Sequence, residues 1–149
     1  MSEGKVDPKL SKEDAIFGYQ TTQMRLIIPL AEHLSIRFSM FDLGIRWREI
    51  LTSLHDPKDN AVVETHALIS ALKPMSTNIV QKRLQPLREL MGGHGYSSFS
   101  NLGNLRNMND INCTWEGDNT ILVQQCAKFI LTNFQRKLKG KPIEFEVIL

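Results

Sequence analysis

From about Asp14 onward, apolar residues recur at intervals of three and four: Met24, Ile27, Ala31, Leu34, Phe38, Phe41 and Ile45. That spacing follows one face of an α-helix and conflicts with a strand, whose side chains alternate with a period of two. A second row, Met40, Leu43, Trp47, Ile50 and Leu54, overlaps the first on a neighbouring face, so this helix is expected to be covered from more than one side. Pro29 removes one backbone donor, yet the periodicity resumes in register, which predicts a kink and not a break. His55-Asp56-Pro57 then ends the segment. Asp59-Asn60 offers a cap for a second pattern from about Ala61 to Leu90, through Val63, Leu68, Leu72, Met75 and Ile79. Pro74 and Pro86 leave two readings open, one bent helix or two helices meeting at Lys73-Pro74. A last helix starts at Asp118 or Asn119 and runs through Val123, Cys126, Ile130 and Phe134. Arg136, Lys137 and Lys139 suit its negative end, Gly140 its cap and Pro142 its stop, so it should finish near Lys139. With no repeat and no strand-helix alternation, the expected fold is all-α, a bundle of three to four long helices.

One domain is expected, since 149 residues with 42% hydrophobic content can build one core and not comfortably two. Residues 1–13 are polar and aperiodic and read as a flexible lead-in, 14–139 as the helical domain, and 140–149 as a tail. In the tail, IEFEVIL alternates weakly and fits a short strand or an extended segment. A net charge of +2 gives no reason to invoke nucleic acid or an anionic membrane surface. No apolar run is long enough to span a bilayer, and MSEGKVDPKLSKED lacks the apolar core of a signal peptide, so a soluble chain is expected. Cys113 and Cys126 match no zinc spacing and read as reduced thiols inside a cell, where the Asn112-Cys113-Thr114 glycosylation pattern would carry no meaning.

Between the second and last helices lies MGGHGYSSFSNLGNLRNMNDINCTWEGDN, Met91 to Asn119, rich in Gly, Asn and Ser. A connection of this length is either a site or a linker, and Tyr96, Phe99 and Trp115, which gain by burial, argue for an ordered, packed loop. Gly92-Gly93-His94-Gly95-Tyr96 could let backbone N–H groups approach an anion, but it follows no strand and lacks the Lys-Ser/Thr of a P-loop. By spacing alone, a helix cap followed by a tight turn is the better reading. Glu116, beside Trp115, has the makings of a general base if a partly dry pocket raises its pKa; otherwise Glu116 and Asp118 only complement the positive end of the last helix. His94 reads first as an ordinary loop histidine. His33, His55 and His66 form no metal-ligand cluster, so no metal site is expected.

GGHGY followed some twenty residues later by CTWEGDNTILVQQ closely resembles the paired motifs of acyl-CoA oxidases, peroxisomal flavoproteins related to the acyl-CoA dehydrogenases. The segments FGYQTTQMRLIIPLAEHLSIRF and HALISALKPMSTNIVQKRLQPLRELMGGHGY are similar too, so the resemblance runs from about Phe17 to Lys139. It covers a C-terminal helical domain only, without the family's preceding helical and flavin domains. The resemblance implies Glu116 as catalytic base, removing the α-proton of a fatty acyl-CoA while the β-hydrogen leaves as hydride to FAD. The products would be a trans-2-enoyl-CoA and, after reoxidation by oxygen, hydrogen peroxide. Gly92, Gly93 and Gly95 would approach the FAD of a neighbouring subunit and Gly117, Asp118 and Asn119 would form the flavin-side turn, which implies a dimer in the peroxisome. EGDN is the oxidase form of a turn that reads EGT in many dehydrogenases, and Met91 and Trp115 replace the Cys and the Tyr or Phe common in the family. Val147-Ile148-Leu149 is not a peroxisomal tripeptide of the SKL kind. The alternative is a catalytically inactive helical module that pairs with an intact oxidase subunit, because a base without its positioned cofactor loses the advantage of orientation.

Overall fold

The computed structural model describes residues 15–53, 59–141 and 143. A 3-10 turn at Ile16–Gly18 leads into α1, Gln20–Ser53, and α2 follows at Asn60–Leu90. Three shorter pieces come next: α3 at Gly93–Tyr96, a 3-10 turn at Ser98–Ser100 and α4 at Leu102–Asp110. A last 3-10 turn, Ile111–Cys113, precedes α5 at Asn119–Leu138. The described residues contain no strand, and the expected all-α class is observed. The lead-in 1–13, the His55-Asp56-Pro57 stop and the strand expected in the tail lie outside the described residues.

α1 begins at Gln20, six residues beyond the expected start, because Ala15 to Tyr19 form a tighter turn closed by Gly18 N donating to Ala15 O at 2.7 Å. Pro29 is accommodated inside α1, as the periodicity required. α2 resolves the open choice in favour of one helix, with both Pro74 and Pro86 inside it. Its N-cap is Asp59, which accepts from Ala61 N at 3.1 Å. α5 starts at the Asp118 cap and ends at Leu138, with Gly140 at φ +64 supplying the left-handed turn that follows.

α2 is the axis of the molecule, and α1 and α5 flank it on separate seams. Both run antiparallel to it. Along the first seam Arg25 Nη2 donates to Pro86 O at 3.2 Å, and Arg83 grips Glu32 with the Nε–Nη2 edge of its guanidinium, Nε donating to Oε2 at 2.6 Å and Nη2 to Oε1. That two-pronged hydrogen bond holds the Glu32 carboxyl below the ordinary carboxylate range, with burial opposing the shift and the charge of Arg83 assisting it. Apart from Leu72, the side chains buried along α2 are small or polar: Glu64, Thr65, Ala67, Ser70, Pro74 and Ser76. Ser70 donates to His66 O at 2.8 Å and Ser76 to Lys73 O at 3.0 Å, so their hydroxyls are satisfied within the helix and neighbouring helices can approach closely.

The expectation that α1 is covered from several sides is corrected by this arrangement. Among the described helices only α2 packs along it, and Phe38 and Phe41 are 69% and 71% exposed, with Leu34, Ile45 and Trp47 exposed beside them. The same holds between α2 and α5. The segment read as a loop contains two α-helices and two 3-10 turns, and its aromatics are not buried by the described residues: Tyr96 and Trp115 are about half exposed and Phe99 is 99% exposed. The described helices form an open layer about α2 whose outer faces remain apolar.

Candidate active site

The turn before α5 is built from its cap outward. Asp118 Oδ1 accepts from Thr120 N at 2.8 Å and its carbonyl accepts from Leu122 N at 3.0 Å, which fixes the first turn of the helix. Asn119, 9% exposed, sits against α2: its Nδ2 donates to Thr77 Oγ1 at 3.0 Å and to Asn78 Oδ1 at 3.1 Å. Lys73 completes the junction, its Nζ donating to Asn119 Oδ1 at 2.8 Å and to Gly117 O at 2.7 Å. Gly117 adopts φ +104, and a Cβ there would meet the Leu122 side chain at 3.1 Å. On the upstream side Trp115 N donates to Ile111 O at 3.0 Å and Trp115 Nε1 to Asn112 Oδ1 at 2.6 Å.

Glu116 lies between these two anchored stretches with φ +55, a left-handed conformation that costs a residue bearing a Cβ roughly 1–2 kcal/mol. Asn101 shares that conformation at φ +58, but asparagine tolerates it and a long glutamate gains nothing by it locally. Strain retained at a carboxylate between fixed flanks marks a position of functional interest. The partly dry pocket expected around Glu116 is not formed by the described residues, because Glu116 is exposed and Trp115 stands half in solvent beside it. Walls for such a pocket have to come from outside these helices.

The glycine cluster closes the C-terminal end of α2. Met91 caps the helix, Gly92 turns the chain at φ +56, and Gly95 is buried against the helix end. A Cβ on Gly95 would fall 1.9 Å from Arg88 O, so only glycine fits. Arg88 holds the turn twice, donating through Nε to Gly95 O at 3.0 Å and lying 4.4 Å over the Tyr96 ring. Gly93 is different. Nothing lies within 4 Å of the position its Cβ would take. Cap and tight turn are therefore both present, with Gly93 as the one member of the cluster that neither a close contact nor a positive φ among the described residues requires.

Glu116, Gly117, Asp118 and Asn119 come together in one turn against the middle of α2, whereas Gly92, Gly93 and Gly95 form a second at its C-terminal end. Fifteen residues separate Lys73 from Arg88, about 22 Å at the helical rise. Sequence reasoning missed the residues that hold both turns: Lys73, Thr77, Asn78 and Arg88. A signal was present, since Lys73, Thr77, Gln81 and Arg88 recur at helical spacing as a polar row on α2. Gln81 belongs to the same row, accepting from Asn109 Nδ2 at 3.1 Å and donating to Asp110 Oδ1 at 3.0 Å to seat α4.

The chain is similar to known acyl-CoA oxidases. The family described as acyl-CoA oxidase, C-alpha1 domain, matches residues 3–131. The peroxisomal acyl-coenzyme A oxidase 2 of Arabidopsis thaliana is 37% identical over 133 residues, covering 89% of this chain and 19% of that protein. The peroxisomal acyl-coenzyme A oxidase 3 of Homo sapiens is 52% identical over 68 residues, 46% of this chain and 10% of the relative. The crystal structure of acyl-CoA oxidase-1 of Caenorhabditis elegans complexed with FAD and ATP superposes with a TM-score of 0.83 at 24% identity, covering 97% of this chain and 22% of the other. Acyl-CoA oxidase 3 of Yarrowia lipolytica gives 0.72 at 26% identity, covering 93% and 22%. The chain spans about a fifth of the length of the Arabidopsis relative.

Proposed function

We infer the function from one premise: the chain belongs to the acyl-CoA oxidase family, as its C-alpha1 domain. It is the part of an acyl-CoA oxidase that carries the catalytic base, Glu116, for converting fatty acyl-CoA to trans-2-enoyl-CoA in the peroxisome. The observation that supports this reading best is the Glu116 backbone, held left-handed between two anchored stretches with its carboxylate exposed. Glu116 takes the α-proton of the thioester, and its own N–H can donate to the thioester carbonyl, where negative charge develops as that proton leaves. Water around the carboxylate is excluded only when further domains cover the turn, and desolvation then raises its basicity. FAD supplies the hydride acceptor for the β-hydrogen and, with oxygen, the route to peroxide.

The residues present fit such a cofactor. Gly93 leaves open space where a side chain would stand, and Gly92 turns the backbone outward beside it, so a flat ring or a phosphate can approach the main chain. Gly117, Asp118 and Asn119 hold the second approach. The separation of about 22 Å along α2 suits contact with two different cofactors, or with the two ends of one, better than a single compact pocket. A dimer in which each copy offers its glycine turn to the other's flavin accounts for this placement.

Glu116→Gln in the complete oxidase assembly tests the assignment: peroxide formation from acyl-CoA is lost while FAD stays bound. Retained turnover would remove Glu116 from the role. A second reading, a module that pairs with an intact oxidase subunit and catalyses nothing alone, is favoured by the exposed apolar side chains of α1, Phe38 and Phe41 among them. Retention of the flavin absorption band by the purified chain after gel filtration separates the two, since a module without its own site emerges colourless.

A further inference from the structure

We propose that Lys73 is the positioning residue that sets the backbone conformation of Glu116. The proposal rests on the reading of Glu116 as the base, and it concerns how a carboxylate with no local reason to be left-handed is kept so. Lys73 projects from the middle of α2, next to the buried Pro74, and is itself half-buried. Its ammonium donates to two acceptors belonging to consecutive corners of the turn, Gly117 O at 2.7 Å and Asn119 Oδ1 at 2.8 Å. Neither is a carboxylate. The charge therefore serves as a donor to neutral oxygens, and hydrogen bonds of this charge-assisted kind are about twice as strong as neutral ones.

The geometry explains why both acceptors matter. Asn119 is oriented by the amide group at its other edge, which donates to Thr77 and Asn78, so Asn119 Oδ1 is a fixed point on the α2 surface. Bridging that point to Gly117 O fixes the peptide plane that follows Gly117. Upstream, Trp115 is tied through its own N–H and its indole. Between these ties the chain closes the gap with the dihedrals of Trp115, Glu116 and Gly117, and the last two close it with positive φ. A glycine does this at no steric cost, whereas Glu116 does it because the bridge leaves no alternative. The Asp118 side chain, by contrast, accepts from Thr120 N, so its cap acts on the first turn of α5 and makes no contact with Glu116 or Gly117.

The test is made on the chain itself and needs no turnover. In isotope-labelled protein a strong intraresidue amide-to-α-proton NOE at Glu116 reports positive φ, and amide exchange along α5 reports whether the helix is intact. In Lys73→Met the Glu116 NOE is expected to weaken to the level of its extended or helical neighbours while α5 protection is kept. In Lys73→Arg, which restores a cationic donor able to reach two oxygens, the signature is expected to return. In Asp118→Ala, α5 frays at its first turn while Glu116 keeps positive φ. A Glu116 NOE unchanged in Lys73→Met overturns the proposal, as does one lost equally in Asp118→Ala. If Lys73→Met loses α5 protection as well, Lys73→Arg decides: a folded Arg variant without the Glu116 signature overturns the proposal, and one with it upholds the bridge. None of these outcomes bears on whether Glu116 is the base, which Glu116→Gln tests separately.

Discussion

Adding one methyl group at each of two glycines, Gly95 and Gly93, should have opposite consequences. A Cβ on Gly95 would lie 1.9 Å from Arg88 O, 2.9 Å from Arg88 C and 3.3 Å from Arg88 Cα, all backbone atoms. Ordinary carbon contacts lie at about 3.5–4.0 Å, so α3 and the end of α2 must separate by more than an ångström. That movement breaks the bond from Arg88 Nε to Gly95 O and takes Tyr96 out from under the guanidinium. Overpacking of this kind costs roughly 1–3 kcal/mol, and the lost charge-assisted bond about 1.5–3 kcal/mol more. Gly95→Ala should therefore be destabilised by about 3 kcal/mol or more. Gly93→Ala meets nothing within 4 Å and sits in a helical turn, where alanine is favoured over glycine by roughly 0.5–1 kcal/mol, so it should be neutral or slightly stabilising. The assay is denaturant unfolding followed by circular dichroism, with both variants beside the parent chain. Equal stability of the two variants, within about 0.5 kcal/mol, would refute the reasoning. Within an assembled oxidase the proposed approach of flavin to Gly93 inverts the ranking: on that reading Gly93→Ala releases flavin more readily at undiminished chain stability, and unchanged flavin retention would count against it.

Glu116 and Glu32 give two further tests. Glu116→Gly and Glu116→Ala both delete the carboxylate, but only glycine relieves φ +55; relief of roughly 1–2 kcal/mol less the roughly 0.5–1 kcal/mol entropic cost of glycine leaves it ahead of alanine by about 0.5–1 kcal/mol in thermal or chemical unfolding. An alanine variant as stable as the glycine variant would mean that the turn is unstrained. Because the Arg83 hydrogen bond holds the folded Glu32 carboxyl below its unfolded value, the stability it contributes is present above the ordinary carboxylate pKa of about 4.3 and is lost as pH falls through the folded value. Melting curves over that acid range should show Glu32→Gln losing less stability on acidification than the parent, and parallel curves would count against the linkage.

The long helices were legible because their pattern is local. Met24 to Ile45 and Val123 to Phe134 repeat at helical spacing, and Asp59, Asp118 and Gly140 cap or stop helices by chemistry confined to a few residues. Pro74 left α2 open to two readings because a proline's effect on a helix depends on the packing around it, and here Pro74 is fully buried. The placing of Gly117, Asp118 and Asn119 in one turn was visible from their adjacency. Lys73 was not, since its bonds to Gly117 and Asn119 span 44 and 46 positions and nothing local announces them. Exposure of Phe38, Phe99 and Trp115 misled for a physical reason: an apolar residue in a sequence signals that something covers it, without saying whether the cover belongs to the same chain.

That both turns hang from one uninterrupted helix has a consequence for how such a domain can change. α2 sets the angular phase of the two turns as well as their spacing, because each residue of helix adds 1.5 Å of length and about 100° of rotation. A single-residue insertion between Lys73 and Arg88 would barely alter the distance, yet it would swing the glycine turn a quarter of the way round the axis, away from whatever faces it. An insertion of the same size between α3 and α4 would leave both quantities untouched. The domain can therefore tolerate drift in its short connecting pieces, while the register of its central helix has to stay fixed.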